Sequence, residues 1–470
     1  MPLNSQIRDF AELPRSGRAR QFVTSLLIVL FLGAFTTGQN AAQNAEPKPA
    51  RDPGVREGRP GAGSPIKGLT AAQQAFFSAG LVSFRQLASV TGSITDTRKG
   101  LGPTFNALSC AQCHAQPAIG GSSAEINPQI SAAIAQGATN KIPSFINSRS
   151  PVRVARFPYA DDMHQPDGSV HGLFTITGRG DATGCKISQP DFKQAAESGN
   201  LIFRIPTPSF GGGLIEAIPD SALRDNMRAE ADKKRSLGIA GRPNLSPNDA
   251  TITRFGWKAQ NKSLEMAAAE ADNLEIGVTN DLFPNELDGT PGCQFNGTPE
   301  DVSRLNPDGS VLPSDIDRFV AFMRFLDQPQ AAAATPSTAH GEQVFTQIGC
   351  ALCHTPYFTT GKSSVDALSN VRANVFSDLL LHHMGPKLAD NIVQGVAQGD
   401  EFRTGPLWGL GQRTFFLHDG RTADLAQAIE NHTSAGDQHY ADSEANAVID
   451  NYKKLTEQDK QDLLNFLRSL

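Results

Sequence analysis

Two Cys-x-x-Cys-His pentapeptides constrain this chain more than any other feature: Cys110-Ala111-Gln112-Cys113-His114 and Cys350-Ala351-Leu352-Cys353-His354. In each, cysteines three positions apart can form thioether bonds to the vinyl groups of one haem. The adjoining histidine then reaches the iron as proximal ligand. A zinc knuckle is the other use of such a pentapeptide. Two copies in a chain that opens like an exported one favour haem, because c-type haems are attached outside the cytoplasm. The expected cofactors are two covalently attached haem c groups, with His114 and His354 on the irons.

The N-terminus carries the export pattern. Arg15, Arg18 and Arg20 precede an uncharged apolar run from Phe22 to Phe35, and small and polar residues follow to Ala45. Residues 1–45 therefore read as a signal peptide and the periplasm as the destination. The run falls short of the about 20 residues a membrane span needs, so no stable span is expected after cleavage; an uncleaved anchor is the lesser alternative. Residues 46–65, rich in Pro, Gly, Arg and Ala, read as a disordered leader. A net charge of -6 offers no basic field and excludes nucleic acid as a partner. Of six cysteines, Cys185 and Cys293 remain outside the pentapeptides, in Gly- and Pro-rich loops. A disulfide between them and two separate free thiols both stay open.

The fold expected is mainly α: two cytochrome c-like domains with long loops, and a few short strands in the N-terminal one. The first domain spans 66–327, with large insertions; 328–339 (Gln-Pro-Gln-Ala-Ala-Ala-Ala-Thr-Pro-Ser-Thr-Ala) is a linker, and 340–470 is the second domain. Helical spacing marks Thr70–Val90, Leu264–Leu274, Pro313–Leu326 and His340–Ile348. Thr456 caps a terminal amphipathic helix whose stripe is Leu463, Leu464, Phe466, Leu467 and Leu470. Helix, haem motif and terminal helix in this order resemble a class I cytochrome c domain.

The whole chain resembles the bacterial di-haem cytochrome c peroxidase superfamily, and within it a branch of di-haem oxidoreductases that also holds sequences called thiol oxidoreductases. The resemblance rests on Gly102-Pro103-x-Phe105-Asn106, Arg254-Phe255-Gly256-Trp257-Lys258-Ala259, Phe402-Arg403-Thr404-x-Pro406-Leu407-Trp408-Gly409-Leu410 and Phe416-Leu417-His418-Asp419-Gly420-Arg421. It implies one haem open to peroxide and a second, with two protein ligands, that delivers electrons. It also implies an acid–base glutamate about twenty residues after the tryptophan motif, which falls on Glu275. The chain has Phe-Gly-Trp-Lys where the family motif reads Trp-Asp-Gly-Arg. Glu216, behind Gly211-Gly212-Gly213, is a second candidate, since glycine lets backbone approach a ligand. No spare Cys-x-x-Cys pair supports thiol chemistry.

The sixth ligand of the C-terminal haem has several candidates: His382, His383, Met384, His418, His432 and His439. His432 suits a distal loop shortly before the terminal helix, and Met384 is the alternative. His418, in a His-Asp-Gly turn, is expected against a haem edge or propionate rather than on iron. Trp257 reads either as an electronic bridge between haems or as a core tryptophan. Arg403 and Arg421, and Arg254 or Lys258 beside them, are candidates to hold propionates. His164 and His171 flank a Pro-Asp-Gly turn near the first haem. The function expected is a periplasmic peroxidase-like oxidoreductase. It would take electrons at the C-terminal haem from a small cytochrome c or cupredoxin type protein and pass them to peroxide or another small oxidant. The reverse flow, a non-enzymatic electron carrier and a gas-binding haem module are the alternatives.

Overall fold

The computed structural model describes residues 48–160 and 165–470, and Pro47–Leu470 forms one compact unit. The expected signal peptide and His164 lie outside the described residues. Helices dominate, and the sheets are short ladders of two or three strands. No helix among the described residues is long and apolar enough to cross a membrane.

The same parts precede each pentapeptide. Thr70 caps the helix Ala71–Arg85 in a capping box with Gln73, and Ser314 with Asp317 caps Asp315–Phe325 the same way. The two helices cross closely because Gly80 faces the crossing; a Cβ there would overlap the Arg318 carbonyl oxygen. Four residues on, on the same helix face, Phe84 packs 4.8 Å from Phe322 and 6.1 Å from the His114 ring. In the second half Thr335 caps Pro336–Ile348, and Thr456 caps Glu457–Ser469. Here Gly341 faces the crossing, where a Cβ would overlap the Asp462 carbonyl oxygen. Four residues on, Phe345 lies 5.5 Å from Phe466 and 6.4 Å from the His354 ring. Each pentapeptide histidine is thus backed by the phenylalanine of a glycine-crossed helix pair.

Short strands fill the first half. Val154–Arg156 pairs antiparallel with both Val170–His171 and Ile202–Arg204, and Thr104–Phe105 pairs with Phe174–Thr175. The second half has ladders too, Phe358–Thr359 with Arg372–Ala373 and Leu381–His383 with Glu401–Arg403. Cys185 and Cys293 are joined in a buried disulfide that links segments 108 residues apart.

Two expected boundaries differ from the structure. The leader is tied down from Ala50, whose N–H donates to Glu457, to Ile66, which bonds Phe325. Between them Asp52 accepts from Arg468 Nε and Nη2 at 2.7 and 2.6 Å, and Arg56 N bonds Gly411 O. A buried guanidinium at the C-terminus supplies a partner that composition does not reveal. The linker is equally occupied: the helix already begins at Pro336, Gln330 bonds Gly61, and Ala332 bonds Ser469. The core also crosses this boundary. Phe77, Phe322 and Leu264 share one apolar cluster with Phe358, Val375, Leu379 and Trp408.

Candidate functional site

The first pentapeptide forms one helical turn, Cys110–Cys113, ending on His114. The chain doubles back so tightly that a Cβ on Gly121 would overlap the Gln116 carbonyl, and Gly121 O meets His114 Nδ1 at 2.9 Å. A bond at Nδ1 fixes the ring and leaves Nε2 without a partner among the described residues. Burial lowers the His114 pKa, so the ring is neutral, as ligation requires. Burial also pushes the Cys110 thiol up to about 12 and the Cys113 thiol well above its usual value. The only group of candidate metal ligands gathered among the described residues is Cys353, Asp378 and His382.

These residues border a cavity of about 1190 Å³, part of it continuous with solvent. Part of its wall comes from a helix with an unusual end. Ser263 caps Leu264–Ala271, which runs without a break into a π-turn, Asp272–Ile276, closed by Gly277 at φ 81°. The wider turn brings Glu270, Ala271, Leu274 and Glu275 to the cavity. It is anchored from outside, where Asp272 pairs with buried Arg98 and Gly102 packs on Gly277. Asn106 fixes Glu275 twice, donating its backbone N–H to Glu275 O at 2.7 Å and its side-chain amide to Oε2 at 3.1 Å. Burial pushes the Glu275 carboxyl up to about 7, against the pull of Arg156 and Asn106. That places it near the pH where an acid–base group works best.

The second pentapeptide borders a larger cavity, about 1410 Å³ and mostly apolar. His354 Nδ1 meets Phe376 O at 3.0 Å, and His432 Nδ1 meets Ala428 O at 2.9 Å. Both rings line the cavity with Nε2 left over. Burial, and then the neighbouring His432, holds His354 down to about 4; burial lowers His432 as well. Met384, His382 and His418 also line this cavity. His382 has both ring nitrogens bonded, to Asp378 at 2.9 Å and Glu444 at 2.7 Å. His418 stacks on Phe402 at 4.2 Å and is held to about 4 by burial.

Both cavities fit a haem. Each is walled on one side by two thiols and an oriented imidazole, and each has buried guanidinium nitrogens with no partner: Arg153 Nε and Arg156 Nε in the first, Arg403 Nη1 in the second. Arg413, beside Arg403 in the second wall, is held down to about 10 by burial and has no ion pair. Unpartnered buried cations suit the two propionates of a haem.

Trp257 lines both cavities, its Nε1–H donating to Ile205 O at 2.8 Å and its ring 6.4 Å from His418. Five other candidates stand elsewhere. Arg421 pairs with Asp419 at 2.7 Å and lines neither cavity. Glu216 accepts from Leu264 N at 3.1 Å and Arg324 Nε at 2.8 Å; the bare N–H groups of a helix start, not a ligand, hold its carboxylate. Arg254 pairs with Asp220, and Lys258 is spent on Asp390 and three backbone carbonyls. His171 bonds Asp167 at 2.7 Å and lines neither cavity. Sequence reading missed Arg153, Arg156, Arg413 and Glu270, which carry no local motif. Asn106 stood in a quoted motif, but its grip on Glu275 needs the folded chain.

Residues 171–470 match the family model described as "Di-haem oxidoreductase, putative peroxidase". The match holds Trp257, Glu275 and the second pentapeptide and begins after the first. No curated protein matches the chain. Among solved structures, hydrazine synthase of Kuenenia stuttgartiensis is similar at 14% identity, over 94% of this chain and 99% of that one, with a TM-score of 0.35. A MauG-like protein associated with microbial copper homeostasis is similar at 19% identity, over 56% and 90%, with a TM-score of 0.28. The diheme peroxidase BthA from Burkholderia thailandensis E264 follows at 14% identity, over 56% and 86%, with a TM-score of 0.29.

Proposed function

The chain belongs to the di-haem oxidoreductase family, and on that premise we propose that it is a peroxidase-like enzyme of the periplasm. Two haem c groups, covalently held in two cytochrome c-like modules, would occupy the two cavities. The repeated glycine-crossed helix pairs behind His114 and His354 support the modules. A small cytochrome c or cupredoxin type protein would deliver electrons at the second site, and Trp257 would pass them to the first.

The observation that carries this reading is the asymmetry of the cavities. The second has two imidazoles with free Nε2 atoms and a mostly apolar wall, so His354 and His432 would both hold a haem there. The first has one pentapeptide imidazole and, in the wall of the same cavity, a carboxyl at about 7. A bound haem would supply the iron on which peroxide sits and the electrons that cleave its O–O bond. Glu275 takes the proton from the near oxygen of HOOH and returns it to the leaving oxygen. Asn106 holds the carboxyl in place, and Arg156 steadies its ionised form. The sum is HOOH + 2 e⁻ + 2 H⁺ → 2 H₂O.

Electron paramagnetic resonance of the purified haem protein, oxidised and half-reduced, tests this together with peroxide turnover. One open iron and turnover that falls about 10²–10⁴-fold in Glu275→Gln are expected. Two six-coordinate irons in both states, with no turnover, would make the protein an electron carrier instead.

A further inference from the structure

Each turnover draws two protons from solvent, and Glu275 is a part-buried carboxyl in the cavity wall. We propose that Glu270 relays protons from solvent to Glu275; this rests on the acid–base reading of Glu275 above. Among the described residues, Glu270 and Glu275 are the only carboxylates that line the first cavity. Asp272, between them in sequence, points away to Arg98, and Asp390 is bound up with Arg204 and Lys258. Glu270, also part-buried, lines the same cavity.

The π-turn makes this pairing possible. In a continuous α-helix a residue five places on points about 140° away. The π-turn, with its i to i+5 period, returns Glu275 to the cavity face that Glu270 occupies. Two neutral amides hold Glu270: Asn261 Nδ2 donates to its Oε2 at 2.6 Å and Gln260 Nε2 at 3.3 Å. No Lys, Arg or His among the described residues forms an ion pair with it. A carboxylate held this way keeps one oxygen free to gain and lose a proton. Beside it Gln260 Oε1 is buried without a partner, an acceptor for the O–H of a relaying water. The charged and titratable groups facing the two carboxyls are Arg156 and Arg153 at the Val154–Arg156 strand, Arg204 from Ile202–Arg204, and Cys110, Cys113 and His114 of the pentapeptide. The arginines stay charged across the working range and none of these groups is a carboxylate, so the relay is left to the two glutamates.

In the relay a proton moves from solvent to a Glu270 oxygen, through one water to Glu275, and on to the oxygen of HOOH that stays behind when the first water leaves; two such transfers, with the two electrons of the sum above, release it as the second water. No group is oxidised or reduced along it. The test compares the haem-loaded wild type with Glu270→Gln, Glu270→Asp and Glu275→Gln. Glu270→Gln is expected to lower kcat for peroxide about tenfold or more, with KM unchanged, and to enlarge the solvent deuterium isotope effect. Glu270→Asp keeps an acid and should restore part of the loss. A readout without turnover is the infrared carbonyl band of protonated Glu275, whose pH midpoint should fall once the neighbouring negative charge is removed. If Glu270→Gln matches wild type in kcat, isotope effect and infrared midpoint while Glu275→Gln is inactive, the relay is overturned and the acid–base reading survives. If Glu275→Gln itself turns over at the wild-type rate, the acid–base reading fails first.

Discussion

Glu275 carries its proton to about pH 7 in the fold, against an ordinary 4.5. The native state therefore binds more protons than the unfolded chain between those values. The stability this confers is full below about 4.5 and is lost as pH rises through about 7. Glu275→Gln, which cannot ionise, should be more stable than wild type at pH 8 by on the order of 3 kcal/mol and show little gain at pH 4. Paired thermal melts across that range measure the difference. A gain that does not change with pH would mean that the carboxyl is not held neutral. At the second site, His432 and His354 are anchored alike through Nδ1. His432→Ala should therefore open the iron there and let the reduced protein bind carbon monoxide at two sites in place of one. A spectrum unchanged from wild type would move the ligand to Met384.

At the level of elements, each helix crossing depends on one glycine. Gly341→Ala pushes a methyl group into the Asp462 carbonyl and the Phe466 side chain. Overpacking of this kind costs about 1–3 kcal/mol, more than the up to 1 kcal/mol alanine gains in helix propensity. A lower denaturation midpoint together with a disturbed spectrum of the second haem is the expected outcome; stabilisation would show that the crossing can widen freely. The helices themselves were legible, because caps such as Thr70, Ser314 and Thr456 and the apolar stripes are local signals. The strands were not. Ladders of two or three residues are too short to show a period of two, and their partners lie up to 70 residues away, as Thr104 does from Thr175. The π-turn also left no trace, since Asp272–Ile276 reads as ordinary helix until Asn106, Arg98 and Gly102 pin it.

Across the whole molecule, the disulfide between Cys185 and Cys293 closes a loop of about a hundred residues around the wall of the first cavity. Its removal in Cys185→Ser/Cys293→Ser should lower stability by about 2–5 kcal/mol, read as a shift in the denaturant midpoint. A shift near zero would mean that the loop is held by its other contacts, such as the cluster of Phe105, Phe174 and Val278 around the bridge. The segments from Asp52 to Gly61 and from Arg468 to Ser469 are tied together at the same scale, with Asp52 on Arg468 and the 328–339 stretch bonded to Gly61 and Ser469. The sequence alone determined the two Cys-x-x-Cys-His pentapeptides, the capped helices beside them and the even remainder of cysteines. All of these are written in residues near one another, where spacing and side-chain chemistry suffice. Only the tertiary structure decided which carboxylate and which cations face each cavity, because burial and charge pairing depend on neighbours far apart in the chain. That is why Glu275 and Arg413 stand in the cavity walls, and Glu216 and Arg421 do not.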